Sequence, residues 1–103
     1  MKQYNKLVRD RIPEILVGLG KKHIIQTLDQ SDVVPALTLK LCEETEEFVQ
    51  SGQVEELADL LEVIYALSRA KGMSPTELEA VRSRKCHERG GFEQGYFLVE
   101  ADE

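Results

Sequence analysis

The chain is 103 residues long, 42% hydrophobic and 31% charged, a composition that fits one globular domain, 1–103, with a modest core. Nineteen acids against thirteen Lys and Arg leave a net charge of -6, and with no basic excess to release counterions this balance argues against a nucleic-acid binder working by phosphate neutralisation. No apolar run approaches the ~18 residues of a membrane span, no leader-like run follows Met1, and Cys42 and Cys86 stand in no CxxC spacing, so we expect a cytoplasmic protein with reduced, partly buried thiols.

In chain order, Tyr4-Asn5-Lys6-Leu7-Val8-Arg9-Asp10-Arg11 places three cations, Lys6, Arg9 and Arg11, in an otherwise acidic protein. Two readings stand side by side for them, a solvated turn and a phosphate contact. Asp10 is placed to cap a short helix with Pro13 in its first turn, where a missing N–H is harmless. Ile12, Ile15, Leu16 and Leu19 give that helix an apolar face, and Gly18 and Gly20 mark its end. His23 to Leu28 is short and β-branched, which predicts a strand paired with Tyr96 to Val99. Two strands alone are marginal, so this β element is minor and leans on helices. His23 is expected to be a structural or surface residue and not a ligand.

A long helix is predicted from a cap at Asp29 or Ser31 to about Gln50, with Pro35 tolerable only near its start. At ~100° per residue, Val34, Leu37, Leu41 and Phe48 share one stripe, and Glu44 falls inside it. A carboxylate at an inward position is costly unless something pairs with it. Glu47 lies on the adjacent flank, whereas Glu43 and Glu46 point away toward solvent.

After the polar break Gln50-Ser51-Gly52-Gln53, the next helix runs from Val54 to Lys71. Val54, Leu57, Leu61, Ile64 and Tyr65 form one apolar stripe, and Leu60, Val63, Ala66 and Leu67 form another on the far side. Glu56 and Asp59 begin the second stripe, while Glu55, Glu62 and Arg69 make the one polar line. A helix apolar on two faces needs more cover than so small a domain supplies, which points to a bundle centre and to a homodimer or homotetramer. Ser74-Pro75-Thr76-Glu77 opens the last helix with a capping box. Leu78 and Val81 supply its inner face, Arg82, Lys85 and Arg89 continue that side as cations, and Gly90-Gly91 end it. The expected fold is all-α: a helical bundle built on an antiparallel hairpin, with the minor two-stranded element, completed by oligomerisation.

The acids at the hairpin carry the functional argument. Glu44 and Glu47 are three apart, as are Glu56 and Asp59, so each pair lies on one side of its helix. A turn centred between Ser51 and Gly52 sets Glu47 level with Glu56, and Glu44 level with Asp59. At helix contact distances of ~8–10 Å, facing carboxylates can share one or two metal ions. Without a cation they would repel and raise one another's pKa. Mg²⁺ prefers such oxygen donors. Ferritin-like iron chemistry calls for Glu-x-x-His pairs, which neither His23 nor His87 provides, and zinc lacks its His and Cys ligands. An isolated ExxE is most often solvated surface; two pairs at matched height, one of them partly on a core stripe, favour a site.

Glu43-Glu44-x-x-Glu47 followed by Glu56-x-x-Asp59 resembles the signature of the all-α nucleoside triphosphate pyrophosphohydrolases, the MazG and phosphoribosyl-ATP pyrophosphohydrolase-like superfamily. Tyr4-Asn5-Lys6-Leu7-Val8-Arg9-Asp10 and Lys85-x-x-x-Arg89-Gly90-Gly91-Phe92 resemble a small single-domain, house-cleaning branch of it, so the likeness covers almost the whole chain. It implies Mg²⁺-dependent hydrolysis, with Mn²⁺ as the alternative ion, between the α- and β-phosphates of a nucleoside triphosphate. It implies Glu44, Glu47, Glu56 and Asp59 as metal ligands, one of them, Glu47 in this reading, also orienting the attacking water. Lys85 and Arg89 would act on phosphate charge from the last helix, and Lys6 and Arg9 from the N-terminus. Cys86-His87-Glu88, between Lys85 and Arg89, departs from the motif, and neither Cys86 nor His87 is given a role. Two further classes remain open: a catalytically silent helical dimer that senses nucleotide or metal, and a purely structural bundle.

Overall fold

The structure is a computed structural model that describes all 103 residues. The polar break between the two acidic segments is a tight turn. Helix α2 (Gln30–Ser51) ends on Gly52, whose φ of 65° and ψ of 12° put it in the left-handed region, and the Gly52 N–H donates to the Phe48 carbonyl at 2.8 Å. Gln53, extended at φ -83° and ψ 138°, is the N-cap of α3 (Val54–Ala70). With so short a link the helices fold back on each other, and their mutual packing dominates the tertiary structure.

Helix α1 (Ile12–Gly18) precedes this hairpin and packs on no other helix, and α4 (Pro75–Arg89) packs against α3. The α3–α4 corner is locked twice. Buried Ser68 donates its hydroxyl to the Met73 carbonyl at 2.7 Å, and Ser74 and Glu77 form both arms of the capping box. The predicted bounds of α2, α3 and α4 hold to within about a residue. Asp10, expected as the first cap, is not one: α1 begins after Arg11, with no side-chain cap. No helix is long and apolar enough to cross a membrane.

The minor β element does not form. His23–Leu28 and Tyr96–Val99 are irregular and unpaired, with Ile24, Tyr96 and Phe97 exposed. β-Branched residues favour a strand only where a neighbour completes the ladder and covers one face, and neither run has such a neighbour in this chain.

The core is thin. Leu37 of α2 and Val63 of α3 are its only buried apolar residues, joined by Glu44 and Ser68. The stripe of Leu41, Glu44 and Phe48 faces inward as predicted, as does the Leu60–Val63–Ala66–Leu67 face of α3. The opposite α3 face, Leu57, Leu61 and Ile64, is exposed. A radius of gyration of 18.0 Å, against ~13 Å for a compact domain of this length, reflects the same open form.

The hairpin turn makes a direct prediction. No side chain obstructs a Cβ at Gly52, so the strain of a substitution there comes from φ alone. Gly52→Ala is expected to lower stability by about 1 kcal/mol, and Gly52→Asn by less, because Asn tolerates the left-handed region. Urea unfolding followed by circular dichroism measures both, and equal stability of Gly52→Ala and the native chain would refute this account of the turn.

Candidate metal centre

Glu44 is the hub of the acidic site. It sits on the packed stripe of α2 between Leu41 and Phe48 and is only 7% exposed. Carboxylate oxygens of Glu44, Glu56 and Asp59 lie within 4.8 Å of one another, and a second group with the same spacing joins Glu43, Glu44 and Glu47. Glu44 is common to both groups, and the other three acids singled out from the sequence are divided between them. The expected two matched levels are corrected, however: Glu47 groups with Glu43 and Glu44 on its own helix, not with Glu56. Only a residue centred in the contact stripe reaches both α3 acids, and Glu47, one flank over, is exposed.

Glu43 also departs from expectation. Far from pointing into solvent, it is half-buried and accepts from Lys6 Nζ at 3.0 Å and Lys40 Nζ at 3.4 Å. The residue that draws Glu43 inward, Lys6, is 37 positions away in the N-terminal arm, beyond the reach of helical periodicity. Lys40 was missed altogether. Its Nζ stands 3.4 Å from both Glu43 Oε1 and Glu44 Oε1, with its side chain only 15% exposed. The signal was present, since Lys40 lies three and four residues before the two glutamates.

The charges around the site oppose one another. Burial pushes the Glu44 carboxyl above its ordinary range and the adjacent Glu47 pushes it further, while Lys40 pulls the other way. The Lys6 hydrogen bond holds Glu43 below that range, and the same bond raises Lys6. Arg9 Nη2 donates to Asp59 Oδ1 at 2.6 Å. Lys6 and Arg9 thus tie the arm to α2 and α3 at the acids themselves.

Two oxygens have no partner: Glu44 Oε2 and Glu56 Oε2 are shut off from solvent and accept no hydrogen bond. Glu44 and Glu56 both belong to the group that includes Asp59. An orphaned anionic oxygen in a helix seam is unfavourable, and a divalent cation would satisfy both at once. The Glu44, Glu56 and Asp59 oxygens, all within 4.8 Å of one another, are near enough to share one ion, and an all-carboxylate donor set suits Mg²⁺ or Mn²⁺ and not zinc. The residues present fit such an ion.

The remaining candidates lie elsewhere. Lys85 and Arg89 are exposed on α4 and make no ion pair with the acids. Arg82, which precedes them on the same helix, is bound to Glu79 at 2.7 Å. The His23 ring meets the Lys21 carbonyl at 3.0 Å, consistent with a structural role. Cys42 and Cys86 are free but exposed, not partly buried as expected, because both lie off the packed faces of their helices.

The chain matches no family model, no curated protein and no solved structure.

The orphaned carboxylate has a measurable consequence. In the absence of divalent cations, Glu44→Gln is expected to stabilise the chain by about 1 kcal/mol, since it removes a buried charge held against its preference. Added Mg²⁺ should raise the melting temperature of the native chain but not that of the variant. A Glu44→Gln protein less stable than the native chain in EDTA would contradict the argument.

Proposed function

We propose that the chain is a Mg²⁺-dependent nucleoside triphosphate pyrophosphohydrolase that cleaves between the α- and β-phosphates, giving a nucleoside monophosphate and pyrophosphate. The observation that carries this is the buried Glu44, which has one unpartnered oxygen and is grouped with Glu56 and Asp59 beside two cations of the N-terminal arm. The role we infer is clearance of non-canonical nucleotides in the cytoplasm.

Bound Mg²⁺, or Mn²⁺ on the same donors, supplies polarisation of phosphoryl oxygens and a water of lowered pKa. The chain's own residues do the rest. Glu44, Glu56 and Asp59 hold the ion. Glu47, exposed on the flank, orients the attacking water and accepts its proton. The water oxygen forms the new P–O bond while the bridging oxygen departs with the pyrophosphate and its electron pair. Lys6 and Arg9 stand where they can exchange a carboxylate for the phosphate charge that develops there. Lys85 and Arg89 serve this site only when a second copy brings them to it.

A homodimer or homotetramer is part of the proposal. Its support is the exposed Leu57–Leu61–Ile64 face beside a core of two buried apolar residues, an area too apolar to be left to solvent. Size-exclusion chromatography with light scattering should give a mass of two or four chains, and Leu61→Glu should reduce it. A native chain that elutes as a monomer would refute this part.

One observation favours a second reading, a silent dimer that binds nucleotide or metal: in a single chain the α4 cations expected to help catalysis do not join the acids. One assay separates the two. Purified protein is incubated with Mg²⁺ and a panel of canonical and modified nucleoside triphosphates, and pyrophosphate is measured. Turnover that falls about 100-fold or more in Glu47→Gln and in Asp59→Asn is the expected result. Thermal stabilisation by Mg²⁺ and nucleotide with no product would select the binding module.

A further inference from the structure

Two runs of the chain have the composition of strands and no strand partner. His23–Leu28 joins α1 to α2, and Tyr96–Val99 follows α4. The Gly20 N–H donates to the Val17 carbonyl at 3.0 Å and the Gly95 N–H to the Phe92 carbonyl at 3.3 Å, so each run emerges from a closed turn. No backbone hydrogen bond joins the two runs, and Ile24, Tyr96, Phe97, Leu98 and Val99 are each at least 79% exposed. We propose that the runs pair between copies: His23–Leu28 of one chain forms an antiparallel ladder with Tyr96–Val99 of a second copy, and the exchange is reciprocal.

Charge sets the direction. Lys21 and Lys22 precede the first run, and Glu100, Asp102 and Glu103 follow the second. Antiparallel pairing brings the lysines to those acids, whereas parallel pairing carries the acids toward Asp29 and leaves the lysines at the far end. The side chains also select a register. With Ile24 opposite Val99, Ile25 falls opposite Leu98, His23 opposite Glu100 and Lys21 opposite Asp102. Apolar residues then meet apolar ones, and both charged positions of the tail's end meet a cation or an imidazole, which is the pairing that stabilises a sheet face. A shift of one residue in one direction sets Ile24 against Glu100, and in the other sets His23 against Val99.

A second copy fits where the same chain does not. Helix α1 packs on no other helix and α4 packs on α3 alone, so the fold does not carry the first run to the second. One two-stranded ladder is marginal in water, but a two-fold exchange makes two of them at once, each continuous with folded helices. The exposed backbone edges and apolar side chains of both runs are covered together. This inference rests on the homo-oligomer proposed above and adds to it a contact made by segments other than the Leu57–Leu61–Ile64 face.

Cysteine pairing tests the register. In a chain carrying Cys42→Ser and Cys86→Ser, both at exposed positions, Ile24→Cys is combined with Val99→Cys. Residues directly opposed on a ladder lie within disulfide reach. Mild oxidation should give covalent dimers with position 24 joined to position 99 by peptide mapping, about tenfold more than when Ile24→Cys is combined with Phe92→Cys. A chain closed on itself, or no such disulfide, overturns the proposal. Charge exchange tests it without cysteines: Lys21→Glu with Lys22→Glu should weaken self-association about tenfold in sedimentation equilibrium, and adding Glu100→Lys with Asp102→Lys should restore it. A charge reversal without effect, or a swap that does not restore association, also overturns it. A native chain that is monomeric removes this contact and the α3 interface alike; an oligomer that Leu61→Glu disrupts but that gives no 24–99 disulfide keeps the helix face and removes the ladder alone.

Discussion

A carboxylate in a helix–helix seam has to be answered by its surroundings, and in this chain most of the functional geometry follows from how Glu44 is answered. Its position on the stripe of Leu37, Leu41 and Phe48 commits it to the α3 contact. Lys40, one turn earlier on the same helix, compensates one oxygen at 3.4 Å. The other is left without a partner, as is one oxygen of the neighbouring Glu56. A fold selected for stability alone would place a leucine there, since replacing a buried charge by apolar packing is often neutral or stabilising. That the charge is kept, and kept next to two more acids, is the strongest physical argument that this seam binds something positive.

The same seam is the best-packed part of an otherwise open molecule. Leu37 and Val63 flank it, while the far side of α3 and the segment after Arg89 remain exposed. The site is therefore held on two helices joined by one left-handed glycine, and not on loops, which is where precise ligand geometry is easiest to maintain. Cover for the rest of the apolar surface is a separate problem, and it sits on the opposite face of α3. Association of chains can address it without disturbing the acids.

Much of this was legible in the sequence, and the failures have a common cause. Helix bounds followed from apolar periodicity, the capping box at Ser74 and the glycine at position 52, all of them local signals. The inward position of Glu44 followed from its angle alone. What periodicity cannot supply is long-range partnership. Glu43 was assigned to solvent because its partner Lys6 belongs to another part of the chain, and the paired strands were expected because β-propensity says nothing about whether a neighbour arrives. Lys85 and Arg89 show the same limit from the other side: their spacing fixes a shared helix face, but not where that face is carried.

The arm illustrates why weak contacts suit this site. Lys6–Glu43 and Arg9–Asp59 leave their side chains between 30% and 56% exposed, and pairs so open to solvent contribute at most about 1 kcal/mol each. Their joint effect is enough to bias the arm toward the hairpin but too small to lock it there. Two cations that trade a carboxylate for a phosphate lose little in the exchange, because each finds an anion in either arrangement. The arm is thus held to the hairpin by contacts that an anionic group could replace at little cost, and the acids that make them, Glu43 and Asp59, are each grouped with Glu44.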